Sequence, residues 1–228
     1  MDITLHYIEE GTGTPLLLLH GNGEDGTYFK HQLAYFSKKY RVIAVDTRGH
    51  GQSPRGAAPF TISQFAEDLN AFLEQRDISK AVILGFSDGA NIAMRFAMKH
   101  PEKVEALILN GGNLNARGVK ASVQIPIELG HRMTKLFSRI SEKARKNHEM
   151  LALMVDDPNI EPSELKEIYV PTLVIAGTED MIKEEHTKLL AAEIPGAELK
   201  FVKGGHFVAA KASEEFNAAV DLFLERVL

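Results

Sequence analysis

Residues 81–99 read AVILGFSDGANIAMRFAMK. An unbroken apolar run, Ala81 to Phe86, ends on Gly85-Phe86-Ser87-Asp88-Gly89 and passes directly into a segment with helical spacing. The run does not alternate apolar with polar residues, which is what a strand buried on both faces of a parallel sheet requires. A serine between such a strand and a helix occupies a sharp, strained turn. Glycines two positions to either side remove the side chains that would collide there. The hydroxyl then stands above the sheet edge. The helix behind it aims free N–H groups and the positive end of its dipole at the place where negative charge develops during acyl transfer. As a bare pattern G-x-S-x-G is weak, and the strand before it and the helix after it give it weight.

Working outward, similar β-rich runs recur as ITLHYI (3–8), TPLLLLH (14–20), RVIAVD (41–46), VEALILN (104–110), PTLVIAG (171–177) and ELKFV (198–202). Helical spacing occupies 28–37, 63–75, 90–99, 183–192 and 214–228, and Pro101 stops the third of these. Strands alternating with helices are the grammar of a doubly wound, mostly parallel α/β sheet. The alternation fails over 114–168, which has no β-run and is basic in its first part, with Arg117, Lys120, Arg132, Lys135, Arg139, Lys143, Arg145 and Lys146. This predicts a core of residues 1–113 and 169–228 carrying a helical cap or lid at 114–168. Within the cap, Leu129, Met133, Leu136, Phe137, Ile140 and Ala144 recur at helical spacing and are expected to lie against the rest of the domain.

Composition narrows the function classes. The 228 residues are 44% hydrophobic and 25% charged with a net charge of −5, an ordinary globular balance without a polyanion-binding footprint. There is no cysteine, hence no disulfide framework, thiolate metal site or thiol nucleophile. The N-terminus lacks a basic stretch leading into an apolar core, and no apolar run approaches a membrane-spanning length. The expectation is a cytoplasmic protein acting on a small molecule, with neither nucleic acid nor membrane as partner. His6, His31, His50, His100, His131, His148 and His186 are scattered without ligand spacing, so no metal or other cofactor is expected. They read as surface or supporting residues. The basic face of the cap reads as solvated, or as attracting anionic substrates to a cleft beneath it.

A nucleophilic serine needs a base and a group to orient that base, and both belong at the ends of later strands. PTLVIAGTED places Glu179 and Asp180 beyond one strand, and ELKFVKGGHF places His206 beyond the last. No carboxylate follows VEALILN, where Gly111-Gly112-Asn113 stand. The order serine, acid, histidine fits acyl transfer.

The strand TPLLLLH runs into Gly21-Asn22-Gly23-Glu24-Asp25-Gly26, which also satisfies the dinucleotide pattern G-x-G-x-x-G, and Asp46 ends the next strand about 20 residues on, as a ribose-binding acid would. Against that reading, Glu24 and Asp25 would bring two negative charges to the place of the pyrophosphate. As an oxyanion loop the stretch makes sense, because a glycine turn can point the Asn22 or Gly23 N–H at an acyl oxygen beside that of Asp88. The Asp88 side chain either favours cationic substrates or makes a structural hydrogen bond.

Together His20-Gly21-Asn22-Gly23, the stretch 46–53 (DTRGHGQS), GFSDG, Gly177-Thr178-Glu179-Asp180 and Gly204-Gly205-His206-Phe207 resemble the α/β-hydrolase superfamily over nearly the whole chain. More narrowly, Ser87 followed by Asp88 is similar to the biphenyl-hydrolase-like esterases of the valacyclovir-hydrolase type, with Ala90 where they carry a second glycine. The resemblance implies an α/β-hydrolase fold and a triad of Ser87, Asp180 and His206, and its spacing favours Asp180 over Glu179. It implies a structural role for the 46–53 loop. The expected activity is cleavage of a small carboxylic ester or related acyl compound through an acyl-enzyme. Ile125, Met133, Leu136, Phe137 and Phe207 are the expected pocket walls. Carbon–carbon bond hydrolysis and perhydrolysis share the triad, whereas dehalogenase and epoxide-hydrolase chemistries normally need a carboxylate where Ser87 stands. A non-catalytic ligand receptor and a dinucleotide-binding oxidoreductase remain the other classes.

Overall fold

In a computed structural model, which describes residues 2–228, the seven apolar runs form one seven-stranded sheet. The strands are β1 (Tyr7–Glu10), β2 (Pro15–Leu19), β3 (Arg41–Val45), β4 (Ala81–Phe86), β5 (Val104–Asn110), β6 (Thr172–Gly177) and β7 (Glu198–Val202). Their spatial order is β1-β3-β2-β4-β5-β6-β7; β1 runs antiparallel to β3 and every other pair is parallel. The first strand is shorter than ITLHYI suggests. Tyr7 pairs with Val45, the last residue of β3, so residues 3–6 have no partner strand to continue along. Ile3 and Leu5 are nevertheless buried in the core.

The helices are α1 (Lys30–Phe36), α2 (Ile62–Gln75), α3 (Asp88–Lys99), α4 (Ala121–Phe137), α5 (Glu142–Val155), α6 (Glu184–Glu193), α7 (Val208–Lys211) and α8 (Ser213–Val227). Alternate residues of each central strand enter different cores. Leu17, Leu19, Ile43 and Ile83 pack with α2, α3 and α6, while Leu16, Leu18, Val42, Val82 and Leu84 pack with α1 and α8. Two covered faces are why these strands are apolar throughout.

Residues 114–168 contain no strand. They form α4 and α5 packed on each other, then a buried return through Ile160, Leu165 and Ile168. The Ile160 N–H donates to the Leu114 carbonyl at 2.9 Å, tying the two ends of this excursion together. The apolar stripe of α4 does not lie against the domain as expected. Leu129, Met133, Leu136, Phe137 and Ile140 are exposed, and the buried residues of α4 are Gln124 and His131. Contacts with α5 hold these two inward: the Gln124 amide donates to the Met154 carbonyl at 3.3 Å, and the His131 ring stacks on His148 at 4.4 Å. The polar edge therefore faces inward. The histidines are correspondingly less solitary than their spacing suggests, since His20 and His50 also lie 5.1 Å apart.

The 46–53 loop is held by charge. Arg48 is fully buried, with two bonds of 2.7 Å to Asp68 of α2 and one of 2.6 Å to Asp2. A buried guanidinium stripped of its carboxylate is left desolvated and uncompensated. Asp68→Ala is therefore expected to cost about 3–5 kcal/mol in urea unfolding; a loss below about 1 kcal/mol would mean that Asp2 alone satisfies Arg48.

Candidate active site

At the end of β4 the backbone of Ser87 adopts φ 53° and ψ −118°, in the region an L-residue avoids. Two close approaches hold it there. A Cβ on Gly85 would strike the Gly89 carbonyl, and one on Gly89 would strike the Leu19 carbonyl of β2. The Ser87 N–H donates to the Asn110 carbonyl of β5 at 2.8 Å, and the Ser87 carbonyl accepts from Ala90 and Asn91 at 2.9 and 3.1 Å, closing the first turn of α3. Asp88, first in that helix, lies ahead of any intrahelical acceptor for its own N–H.

Beyond β6, Asp180 is buried and Glu179 is exposed. Asp180 Oδ1 lies 2.7 Å from His206 Nδ1 and accepts the Ile182 N–H at 2.9 Å, while Oδ2 accepts the Gly177 N–H at 3.4 Å. Burial alone would raise the Asp180 pKa, but the His206 hydrogen bond and charge, with the two backbone donors, outweigh it and hold the pKa below the ordinary value. The ionised acceptor fixes the tautomer: Nδ1 carries the proton and Nε2 a lone pair. His206 Nε2 is buried with no hydrogen-bond partner among the described residues. Gly111, next to the Asn110 that accepts from Ser87, leaves room for this ring: a Cβ there would lie 2.8 Å from His206 Cε1. Asp180 and His206 thus form a bonded pair near the corner of the sheet where Ser87 stands, and no hydrogen bond joins His206 Nε2 to Ser87.

The loop after β2 approaches from the other side. His20 Nε2 accepts the Thr47 N–H at 3.0 Å, so its proton sits on Nδ1, 2.8 Å from the Gly21 carbonyl. The Glu24 N–H donates to the same carbonyl at 3.3 Å. Because a trans peptide directs its C=O and N–H oppositely, the Asn22 N–H is turned away from His20. Gly21 packs closely here, since a Cβ on it would be 3.1 Å from Ser87 Cβ. The Asn22 side-chain amide donates to Asp88 Oδ2 at 2.9 Å and to the Met150 carbonyl of α5 at 2.8 Å. Asp88 also accepts from Asn91 at 3.4 Å, so its carboxyl is tied into the protein. Asp46, the candidate ribose acid, is equally occupied: it accepts the Gly26 and Gln52 N–H groups at 2.7 and 2.9 Å and lies 2.8 Å from His6 Nδ1.

Two carboxyl groups here resist ionisation. Burial raises the Glu24 pKa to about 7, against lowering contributions from the Gly21 N–H and the His206 charge. Burial likewise raises Asp88 to about 6, although Asn22 and Asn91 donate to it. The Tyr28 ring stacks on Phe86 at 4.5 Å, and its buried hydroxyl has no partner among the described residues. Phe207 stands 5.6 Å from Phe86 and 5.5 Å from the His206 ring. The other expected wall residues are not gathered there. Ile125, Met133, Leu136 and Phe137 are exposed, and Met133 and Phe137 border a separate trough between α4 and α5. Their side of α4 follows from the inward turn of Gln124 and His131. A cleft of about 860 Å³ lies between the 49–60 loop and α5, lined in part by Met150, the residue that meets Asn22. Tyr28, Met150 and the Asn22 side chain escaped the sequence reading, and Glu24 entered it only as a charge opposing a pyrophosphate. Their only signal was proximity to Ser87 in space.

Residues 14–124 match the family profile described as alpha/beta hydrolase fold. A hydrolase of Burkholderia vietnamiensis acting on 2-hydroxy-6-oxononadienedioate and 2-hydroxy-6-oxononatrienedioate is 29% identical, over 99% of this chain and 92% of its own length. A 3-oxoadipate enol-lactonase of Acinetobacter baylyi is 25% identical, over 99% of this chain and 94% of its own. The solved structure of a thermophilic esterase from Thermogutta terrifontis superposes with a TM-score of 0.83 at 24% identity, covering 99% of this chain and 94% of that one, and so shares its fold.

If ester hydrolysis occurs at Ser87, Glu24 becomes a carboxylate beside the developing oxyanion as pH rises through about 7. The kcat/KM–pH profile is expected to bend downward there, and Glu24→Gln to lose the bend while keeping its neutral-pH rate within several-fold. An unaltered profile in the variant would discard the assignment.

Proposed function

Because the chain belongs to the α/β-hydrolase superfamily, we propose that it is a serine hydrolase that cleaves a small carboxylic ester, lactone or related acyl compound through an acyl-enzyme on Ser87. One observation carries this reading. A buried His206 is oriented by Asp180 at 2.7 Å, its Nε2 free of partners, beside a serine held at positive φ. An oriented imidazole and a strained serine are two parts of an activated hydroxyl nucleophile; the third, a hydrogen bond from the Ser87 hydroxyl to Nε2, is not made here, and in this reading it forms when substrate binds.

In this mechanism Ser87 Oγ attacks the substrate carbonyl and gives its proton to His206 Nε2. Asp180 stabilises the imidazolium without taking the proton. The carbonyl oxygen gains negative charge and is met by the N–H groups of Asn22 and Asp88, each such donor supplying about 3 kcal/mol in the transition state. Asn22 is favoured over Gly23 because the doubly held Gly21 carbonyl sets its N–H direction. As the tetrahedral intermediate collapses, His206 returns the proton to the leaving oxygen. Water, deprotonated by the same nitrogen, then releases the acid and restores Ser87. No resident metal or cofactor enters any step. Residues 114–168 act as a cap, and α5 reaches the reacting corner through Met150.

A second reading draws on the Burkholderia vietnamiensis relative. Its substrates, as named, contain no ester linkage, so their hydrolysis breaks a carbon–carbon bond. The same serine and histidine would serve there, with a ketone as the group attacked. Relatives named for a lactone and for an oxo-dienedioate set the two chemistries side by side.

A fluorophosphonate probe is expected to label the wild-type protein and not Ser87→Ala, and intact labelling of the variant would sink the assignment. On a p-nitrophenyl ester panel, Asp180→Asn should lower kcat by about 10⁴. Activity on oxo-dienoates without activity on any ester would select the second reading.

A further inference from the structure

The most anomalous surface of the molecule is the outer face of α4. Ile125, Leu129, Met133, Leu136, Phe137 and Ile140 are all 52–81% exposed. The spacing of the first five places them on one face of the helix, and Ile140 extends the row into the turn after it. Single exposed apolar residues are ordinary, but a contiguous apolar row on a globular protein marks an interaction site.

Charge identifies what fits this ridge. Arg132, Lys135 and Arg139 run alongside it, and Lys143 and Lys146 stand exposed on α5. No carboxylate lies within 4.0 Å of any of these five cations among the described residues. The hairpin 121–155 carries six Lys and Arg against three Glu, in a chain whose net charge is −5. The whole-chain charge, which argued against a polyanionic partner, therefore conceals a local reversal.

We infer that the α4–α5 hairpin docks on an anionic lipid surface, its apolar ridge at the acyl boundary and its cations against the headgroup phosphates. An amphipathic helix with an apolar face bordered by Lys and Arg lies in the plane of such an interface. A soft lipid boundary accepts such a row without a matching groove, whereas a folded protein partner would need a surface cut to fit it. A second copy meeting the same face would set one row of unpaired cations against another. Between the helices, a trough of about 480 Å³ lined by Met133, Phe137, Ile140 and Ala144, with Lys143 at its rim, adds room for an acyl segment near a headgroup. The protein lies on this surface without crossing it, since no helix among the described residues is long and apolar enough to span a membrane.

The test is co-sedimentation of the full chain with vesicles of phosphatidylcholine alone and of phosphatidylcholine with phosphatidylglycerol. Partition onto the anionic vesicles is expected to be tenfold stronger or more, by the order of magnitude that several surface cations supply, roughly. Raising the salt concentration should weaken it several-fold. The double variant Leu129→Glu/Ile140→Glu should bind about tenfold more weakly or less, with unchanged melting temperature and monomer mass. Equal partition onto both vesicle types, or wild-type binding by the double variant, overturns the inference. So does a wild-type dimer that the double variant dissolves, which assigns the ridge to a second copy.

Discussion

The structure turns on one steric constraint, the contact of α3 with β2. Gly89 sits so close to the Leu19 carbonyl that no side chain could be added, and Gly85 is equally close to Gly89. A helix pressed this tightly onto the sheet must start abruptly, which forces the positive φ of Ser87 and leaves the first N–H groups of α3 without acceptors. The same contact brings the loop after β2 against the elbow, so that Gly21 borders Ser87 Cβ and the Asn22 amide reaches Asp88. Strain at one residue is thus sustained by backbone packing over two strands and a helix.

Much of this was legible beforehand for identifiable reasons. Strands covered on both faces must be apolar at every position, so the runs at β2 to β6 stood out in one sequence. Ser87, Asp180 and His206 were readable because each ends or follows a strand, and parallel strands bring such ends to one edge. Direction was not readable. The spacing of Leu129, Leu136 and Ile140 declares a helix face without saying whether it turns inward, and Gln124 and His131 settled that through partners on α5. The Asn22–Asp88 contact joins residues 66 apart and has no local trace. Asp46 looked like a ribose ligand by position alone. Its occupied oxygens add a structural reason to the charge argument from Glu24 and Asp25 against that role.

Three carboxyl groups near the elbow are sorted by their donors. Asp180 receives one imidazole N–H and two backbone N–H groups and stays ionised. Glu24 receives a single N–H at 3.2 Å, and Asp88 is enclosed with two side-chain amides, so burial prevails at both. Divergent protonation of neighbouring acids is how one site keeps an acid and a base at a single pH. Here it places the firmly ionised carboxyl behind the imidazole and the reluctant ones nearer the expected oxyanion.

The Asn22 amide has only two hydrogens, one spent on the elbow helix through Asp88 and the other on the Met150 carbonyl of α5. Swinging α5 outward would break the second bond and loosen the first, releasing the loop that carries the proposed oxyanion donor. Admission of a ligand and assembly of the charge-stabilising groups would then be a single event. The position of α5 and the state of the proposed site would then be set together, without a separate latch.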